Sequence, residues 1–297
     1  MKTLRGAIGV TVTPFCAHGQ VDLATVEAQA QRLAQSDVTG VFPCASTGEF
    51  PHLSFPEQEA IYQATKRGLA GSKTLVAGAC APNLRQAVAY AQLAAALDYD
   101  ACVACPPYYY PLTQDEVYRF YRELAQASPL PLILYHVPFF TTGIDLGTVE
   151  RLLTVPGIVG MKDSSANMKR IAHLCQLHAK REDFILYTGT DDCLLPALAA
   201  GVDGSMTALG AGLPALVVGV YRAYAQGDLA TATAFQQRMM PVLAAADALP
   251  FPLGYKLVAQ ACHGLPMTQA YHQLAQDAQV RDAGAAIATL VQAALAP

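Results

Sequence analysis

Short apolar, β-rich runs recur along this chain about every 20 to 35 residues, and each is followed by a stretch of helical periodicity. Eight such runs stand at 7–13, 40–45, 74–79, 101–105, 132–137, 158–162, 184–188 and 204–207. Helical patterns fill the gaps at 23–34, 56–69, 83–97, 114–127, 146–153, 167–179 and 192–200, with an eighth from about 213 to 226. Several strands are continuously apolar, as in Ile158-Val159-Gly160-Met161, which suits strands buried on both faces. The 3–4 spacing of a helix shows in Ile171, Leu174, Cys175 and His178. Thr113 and Glu116 form a capping box at a helix start. Eight β-then-α units predict a (β/α)8 TIM barrel of the α/β class. The competing architecture, a doubly wound sheet, would carry a GxGxxG turn after its first strand, and this chain has none there.

A barrel needs roughly 250 residues, and the chain has 297. The division expected is a barrel over 1–226 and a C-terminal helical extension over 227–297, with helices at 229–246, 253–262, 268–276 and 282–295. Charged residues are 14% of the chain and the net charge is −4. No basic surplus is present to neutralise phosphates, so a nucleic-acid partner is not expected. No apolar run reaches the ~18 residues of a membrane span. Lys2 and Arg5 precede an apolar stretch too short for a signal peptide, without a small-x-small cleavage pattern. The protein is therefore expected in the cytoplasm, off the membrane. Most of the eight cysteines sit in apolar runs, where a free thiol behaves as a small hydrophobe. Cys102 and Cys105 form a CxxC, but three residues apart on a strand means opposite faces. No second pair completes a zinc set, so no metal is expected.

In a barrel the chemistry belongs at the C-terminal ends of the strands. Here those ends are rich in hydroxyls and tyrosines. Lys162 stands out: the chain has seven lysines, and this one lies within an apolar strand. Desolvation at a barrel mouth lowers an amine's pKa, and a neutral amine attacks a ketone to give a Schiff base. The structural alternative is a lysine paired with Asp163 or Glu49; Lys256, on a C-terminal helix, is a weaker rival nucleophile. Tyr135 ends the neighbouring strand, and a phenol there can move the protons of carbinolamine chemistry. The Ser46-Thr47-Gly48 turn offers hydroxyls and backbone N–H groups that suit a carboxylate, with Glu49 as a structural acceptor for the turn.

Four motifs in order carry a family resemblance: Ser46-Thr47-Gly48-Glu49, Pro107-Tyr108-Tyr109, Tyr135-His136-Val137-Pro138 and Gly160-Met161-Lys162-Asp163. Over the whole chain the pattern resembles the dihydrodipicolinate synthase / N-acetylneuraminate lyase family of class I aldolases. The resemblance implies that Lys162 forms the Schiff base with pyruvate or another 2-keto acid, and that Tyr135 is the general acid/base. Ser46 would relay protons to Tyr135, with Tyr109 lent by a neighbouring subunit. Ser46, Thr47 and Gly48 would hold the keto acid's carboxylate. Gly189, Asp191 and Met206 would line the substrate site, with Asp192 beside them. It also implies a lyase that uses no cofactor, takes an aldehyde as second substrate, and forms a homotetramer built as a dimer of dimers, with the tail at subunit contacts.

Departures from the family pattern bear on the substrate. His136 stands where Asn is usual. The loop Phe139-Phe140-Thr141-Thr142-Gly143 lacks the arginine that lysine-biosynthetic synthases place there. Thr207 and Ala208 stand where neuraminate lyases tend to have Gly and Ser. A 2-keto-3-deoxy acid, or an apolar aldehyde partner, is the expected substrate type. The alternatives are 4-hydroxy-tetrahydrodipicolinate synthase (pyruvate plus aspartate semialdehyde) and N-acetylneuraminate lyase. More remote are a phosphate-binding barrel using Gly189 and Gly204, and a non-catalytic keto-acid-binding barrel.

Overall fold

The computed structural model describes residues 3–16, 18–267 and 278–296. Eight parallel strands close into a barrel in chain order: β1 (Gly6–Val10), β2 (Gly40–Phe42), β3 (Thr74–Gly78), β4 (Ala101–Ala104), β5 (Leu132–His136), β6 (Ile158–Asp163), β7 (Ile185–Thr188) and β8 (Gly204–Thr207). The ring shuts where β1 pairs with β8, Ile8 opposite Met206. Helices alternate with the strands: α1 (Leu23–Ala34), α2 (Phe55–Leu69), α3 (Leu84–Ala96), α4 (Gln114–Ala127), α5 (Leu146–Leu152), α6 (Met168–His178) and α7 (Leu194–Ala200). After β8 come a short α8 (Ala208–Gly212) and α9 (Pro214–Ala225). This is the TIM barrel that the alternation implies.

The first two strands end sooner than their apolar runs suggest. Pro43 explains the second: it has no N–H for the ladder, and Cys44 beyond it turns to a positive φ of 55°. Residues 43–49 thus leave the sheet and become a loop at the barrel mouth. Helices are fastened to strands by buried phenols. Tyr62 of α2 donates to the Gly78 carbonyl, and Tyr121 of α4 to that of Ala104, each at 2.8 Å. Such bonds satisfy carbonyls at strand ends that the ladder leaves open.

Two helices, α10 (Leu229–Asp247) and α11 (Leu253–His263), and a last described helix (Ala278–Leu295) form the C-terminal extension. The helix expected at 268–276 falls outside the described residues. Gly254 lets α11 cross close to α10; a Cβ there would lie 2.1 Å from the Ala246 carbonyl oxygen. The His263 imidazole meets the Ala211 carbonyl at 2.7 Å, tying α11 to the end of the barrel. These contacts bring α10 and α11 over the mouth, so part of the extension serves the cavity as well as any subunit contact. Among the described residues no helix is long and apolar enough to cross a membrane, and no cluster of side chains could hold a metal ion.

Candidate active site

A cavity of about 380 Å³ opens at the C-terminal end of the barrel. It brings together Ser46, Thr47, Tyr135, Lys162, Gly189, Asp191, Asp192 and Met206, eight of the ten site residues that the family resemblance implies. Gly48 and Tyr109 do not line it. Gly48 instead packs beneath the turn, where Thr13 Oγ1 donates to its carbonyl at 2.6 Å. Tyr109 is 87% exposed and adopts a positive φ of 86°, an uncommon conformation for a bulky residue.

Lys162 is buried at the end of β6, with its register partner Tyr135 on β5. Its Nζ lies 4.3 Å from the centre of the Tyr135 ring. Burial lowers its pKa to about 8, against the opposing pull of Cys80, Asp191 and Cys105. Neither suggested carboxylate neutralises it. Asp163, on the other face of the strand, pairs with Arg170 at 2.7 Å. Glu49 pairs with Lys256, and both are buried. Lys256, the rival nucleophile, is thus held in an ion pair and is absent from the cavity lining.

The Tyr135 hydroxyl lies 3.2 Å from Ser46 Oγ. Burial raises the Tyr135 pKa, so the phenol keeps its proton at neutral pH. Gly189 passes so near Lys162 that a Cβ would lie 2.8 Å from its Cε and would clash with Ser164 Oγ. Only glycine fits. Asp191 is buried, accepts from the Leu209 N–H at 3.2 Å, and is pushed up to about 7 by that burial.

His136, the departure from the family pattern, points away from the cavity. Its Nδ1 accepts from the Ile144 N–H at 2.9 Å and so organises the loop after β5. Burial lowers its pKa to about 4, which keeps the ring neutral and that acceptor available. The CxxC pair splits as the strand period requires. Cys102 Sγ reaches Ser128 Oγ at 3.6 Å, while the Cys105 thiol bonds with Cys80 near Lys162.

Sequence reasoning missed the residues that the extension delivers. Leu243 and Asp247 from α10, Phe251 from the next turn and Tyr255 from α11 all line the cavity, as does Ser164 beyond β6. Only Ser164 was within reach of a local rule, because it follows Lys162 at a strand end.

A family model matches residues 3–280, and its description is the dihydrodipicolinate synthetase family. The chain belongs to that family. Its members are lyases and aldolases, and this protein is an enzyme of that class. A DapA-like lyase of Halobacterium salinarum is 34% identical over 254 residues, covering 85% of this chain and 83% of the relative. A 4-hydroxy-tetrahydrodipicolinate synthase of Dehalococcoides mccartyi is 31% identical over 277 residues, covering 91% and 93%. The structure of YagE from E. coli K12, a family member in complex with pyruvate, superposes with a TM-score of 0.89 at 25% identity, covering 98% of each chain.

Proposed function

We propose that Lys162 condenses with a 2-keto acid, pyruvate in the simplest case, and that the enzyme makes or breaks the adjacent C–C bond. The neutral amine adds to the C2 carbonyl, and the carbinolamine loses water to give an iminium. Tyr135 moves the protons of these steps, with Ser46 as its relay at 3.2 Å. In the cleavage direction Tyr135 first gives its proton to the water leaving the carbinolamine; the resulting phenolate then takes the proton of the C4 hydroxyl and the C3–C4 bond breaks. The electron pair passes into the iminium and leaves an enamine. The aldehyde departs, C3 takes a proton, and water releases pyruvate and restores the amine. The iminium is the electron sink, so the chemistry calls on no cofactor.

The Ser46–Thr47–Gly48 turn holds the keto acid's carboxylate through the backbone N–H groups of Ser46 and Thr47. Gly189, Asp191 and Met206 bound the substrate beside Lys162. Tyr109 completes the partner subunit's site within a homotetramer. Its exposure and its absence from this chain's own cavity support that reading. Eight free cysteines fit a reducing compartment, and we place the enzyme in the cytoplasm.

A 2-keto-3-deoxy acid is the substrate type we favour. Condensation with aspartate semialdehyde would require a cation for that substrate's carboxylate. Among the described lining residues the one cation is Lys162, which the keto acid engages. The observation that carries the reading is a buried, unpaired amine with a lowered pKa beside a tyrosine. Incubation with pyruvate and borohydride should add one reduced pyruvyl group at Lys162, read by peptide mass; an unmodified Lys162 would sink the proposal.

A further inference from the structure

The remainder of the cavity wall constrains the second substrate. Asp191, Asp192 and Asp247 line it, and no cation besides Lys162 balances them among the described lining residues. Asp191 is buried, whereas Asp192 and Asp247 are exposed to the space that an incoming molecule must cross. Asp247 ends α10 and is held in place from α11: the Tyr255 hydroxyl donates to its Oδ1 at 2.7 Å. One carboxylate oxygen is thus engaged, and the other is left for a ligand. Phe140 and Phe251 add an apolar edge, their rings 5.6 Å apart.

We propose that this compartment takes an uncharged, hydroxyl-bearing aldehyde and rejects anionic ones, with Asp247 as the specificity-determining residue. The inference rests on the keto-acid chemistry above and names its partner substrate. Carboxylates are acceptors only, so they suit hydroxyl donors. An aldehyde with a carboxylate or phosphate meets like charge from Asp192 and Asp247 and finds no cation to repay its lost hydration. Discrimination here is built from repulsion as much as from attraction. The phenylalanine faces receive the C–H face of such an aldehyde.

The test measures aldol addition of pyruvate to glyceraldehyde, succinic semialdehyde and glyceraldehyde 3-phosphate. Wild-type enzyme should prefer glyceraldehyde at least tenfold in kcat/KM. Asp247→Asn should narrow the preference, and Asp247→Arg should reverse it for succinic semialdehyde, with a thermal melt confirming that each variant is folded. Equal or faster turnover of an anionic aldehyde by wild type would overturn the inference, as would an unchanged ratio in folded Asp247→Arg. Pyruvate trapping at Lys162 of wild type is scored separately. A missing adduct overturns the keto-acid reading, whereas an adduct with the wrong aldehyde preference overturns only this one.

Discussion

A lysine amine attacks a ketone only after it has lost its proton. With a pKa of about 8, roughly a tenth of Lys162 is free amine at pH 7. That is roughly 300-fold more than an unperturbed lysine would supply. The free amine appears as pH rises through the lowered pKa, so the sign is fixed. The initial rate of borohydride-trapped pyruvyl adduct should rise about tenfold from pH 6 to 7 and level off above pH 8. A rate that keeps climbing to pH 10 would mean the burial is not felt. Gly189 makes a second prediction at this scale. Gly189→Ala pushes a methyl group against Ser164 and Lys162 Cε. A misplacement of about 1 Å costs roughly a hundredfold in rate. That loss should appear in kcat/KM while far-UV circular dichroism stays unchanged.

Single elements differ in how far their sequence announces their role. The strands of the barrel were legible because a strand buried on both faces must be an apolar run, and eight runs spaced by helices leave one closed topology. Lys162 and Tyr135 were legible for the same reason: each interrupts such a run at its C-terminal end. The early end of β2 was written in Pro43 but outvoted by the apolar residues around it. The contribution of α10 and α11 was not legible at all. Asp247 and Tyr255 read as an ordinary helix end and an amphipathic aromatic, and only long-range packing at Gly254 and His263 carries them to the mouth. The Glu49–Lys256 pair belongs here too. It joins α11 to the turn that follows Ser46–Thr47–Gly48, with both side chains buried. Removing one partner leaves an uncompensated buried charge, at a cost of about 3–5 kcal/mol. Lys256→Met should lose about that much in denaturant unfolding. The double variant Glu49→Gln/Lys256→Met should lose distinctly less. A double-variant loss equal to the sum of the separate Glu49→Gln and Lys256→Met losses would show that the two side chains do not interact.

At the scale of the whole molecule, the charge-poor composition and Tyr109 lead to one question, which is whether a single chain holds a complete site. Tyr109 stands 87% exposed at a positive φ, outside its own cavity. A strained aromatic directed at solvent has an evident use if it enters the cavity of a second copy. A two-fold interface makes the exchange mutual, because each chain then lends and borrows the same residue. Two individually crippled variants, Lys162→Ala and Tyr109→Phe, separate the possibilities. The first lacks the amine but keeps Tyr109 to lend. The second keeps the amine but lends a phenylalanine. In a mixed dimer, the site built on the Tyr109→Phe chain borrows an intact tyrosine from its partner and has its own Lys162. The other site lacks both. Random reassortment makes half of the dimers mixed, each with one whole site, so activity should recover to roughly a quarter of wild type. The variants are unfolded together, refolded as an equimolar mixture, and assayed for pyruvate release. Recovery that rises with the mixed fraction supports exchange across the interface. Activity that merely averages the two variants places Tyr109 in its own chain's site or outside the chemistry.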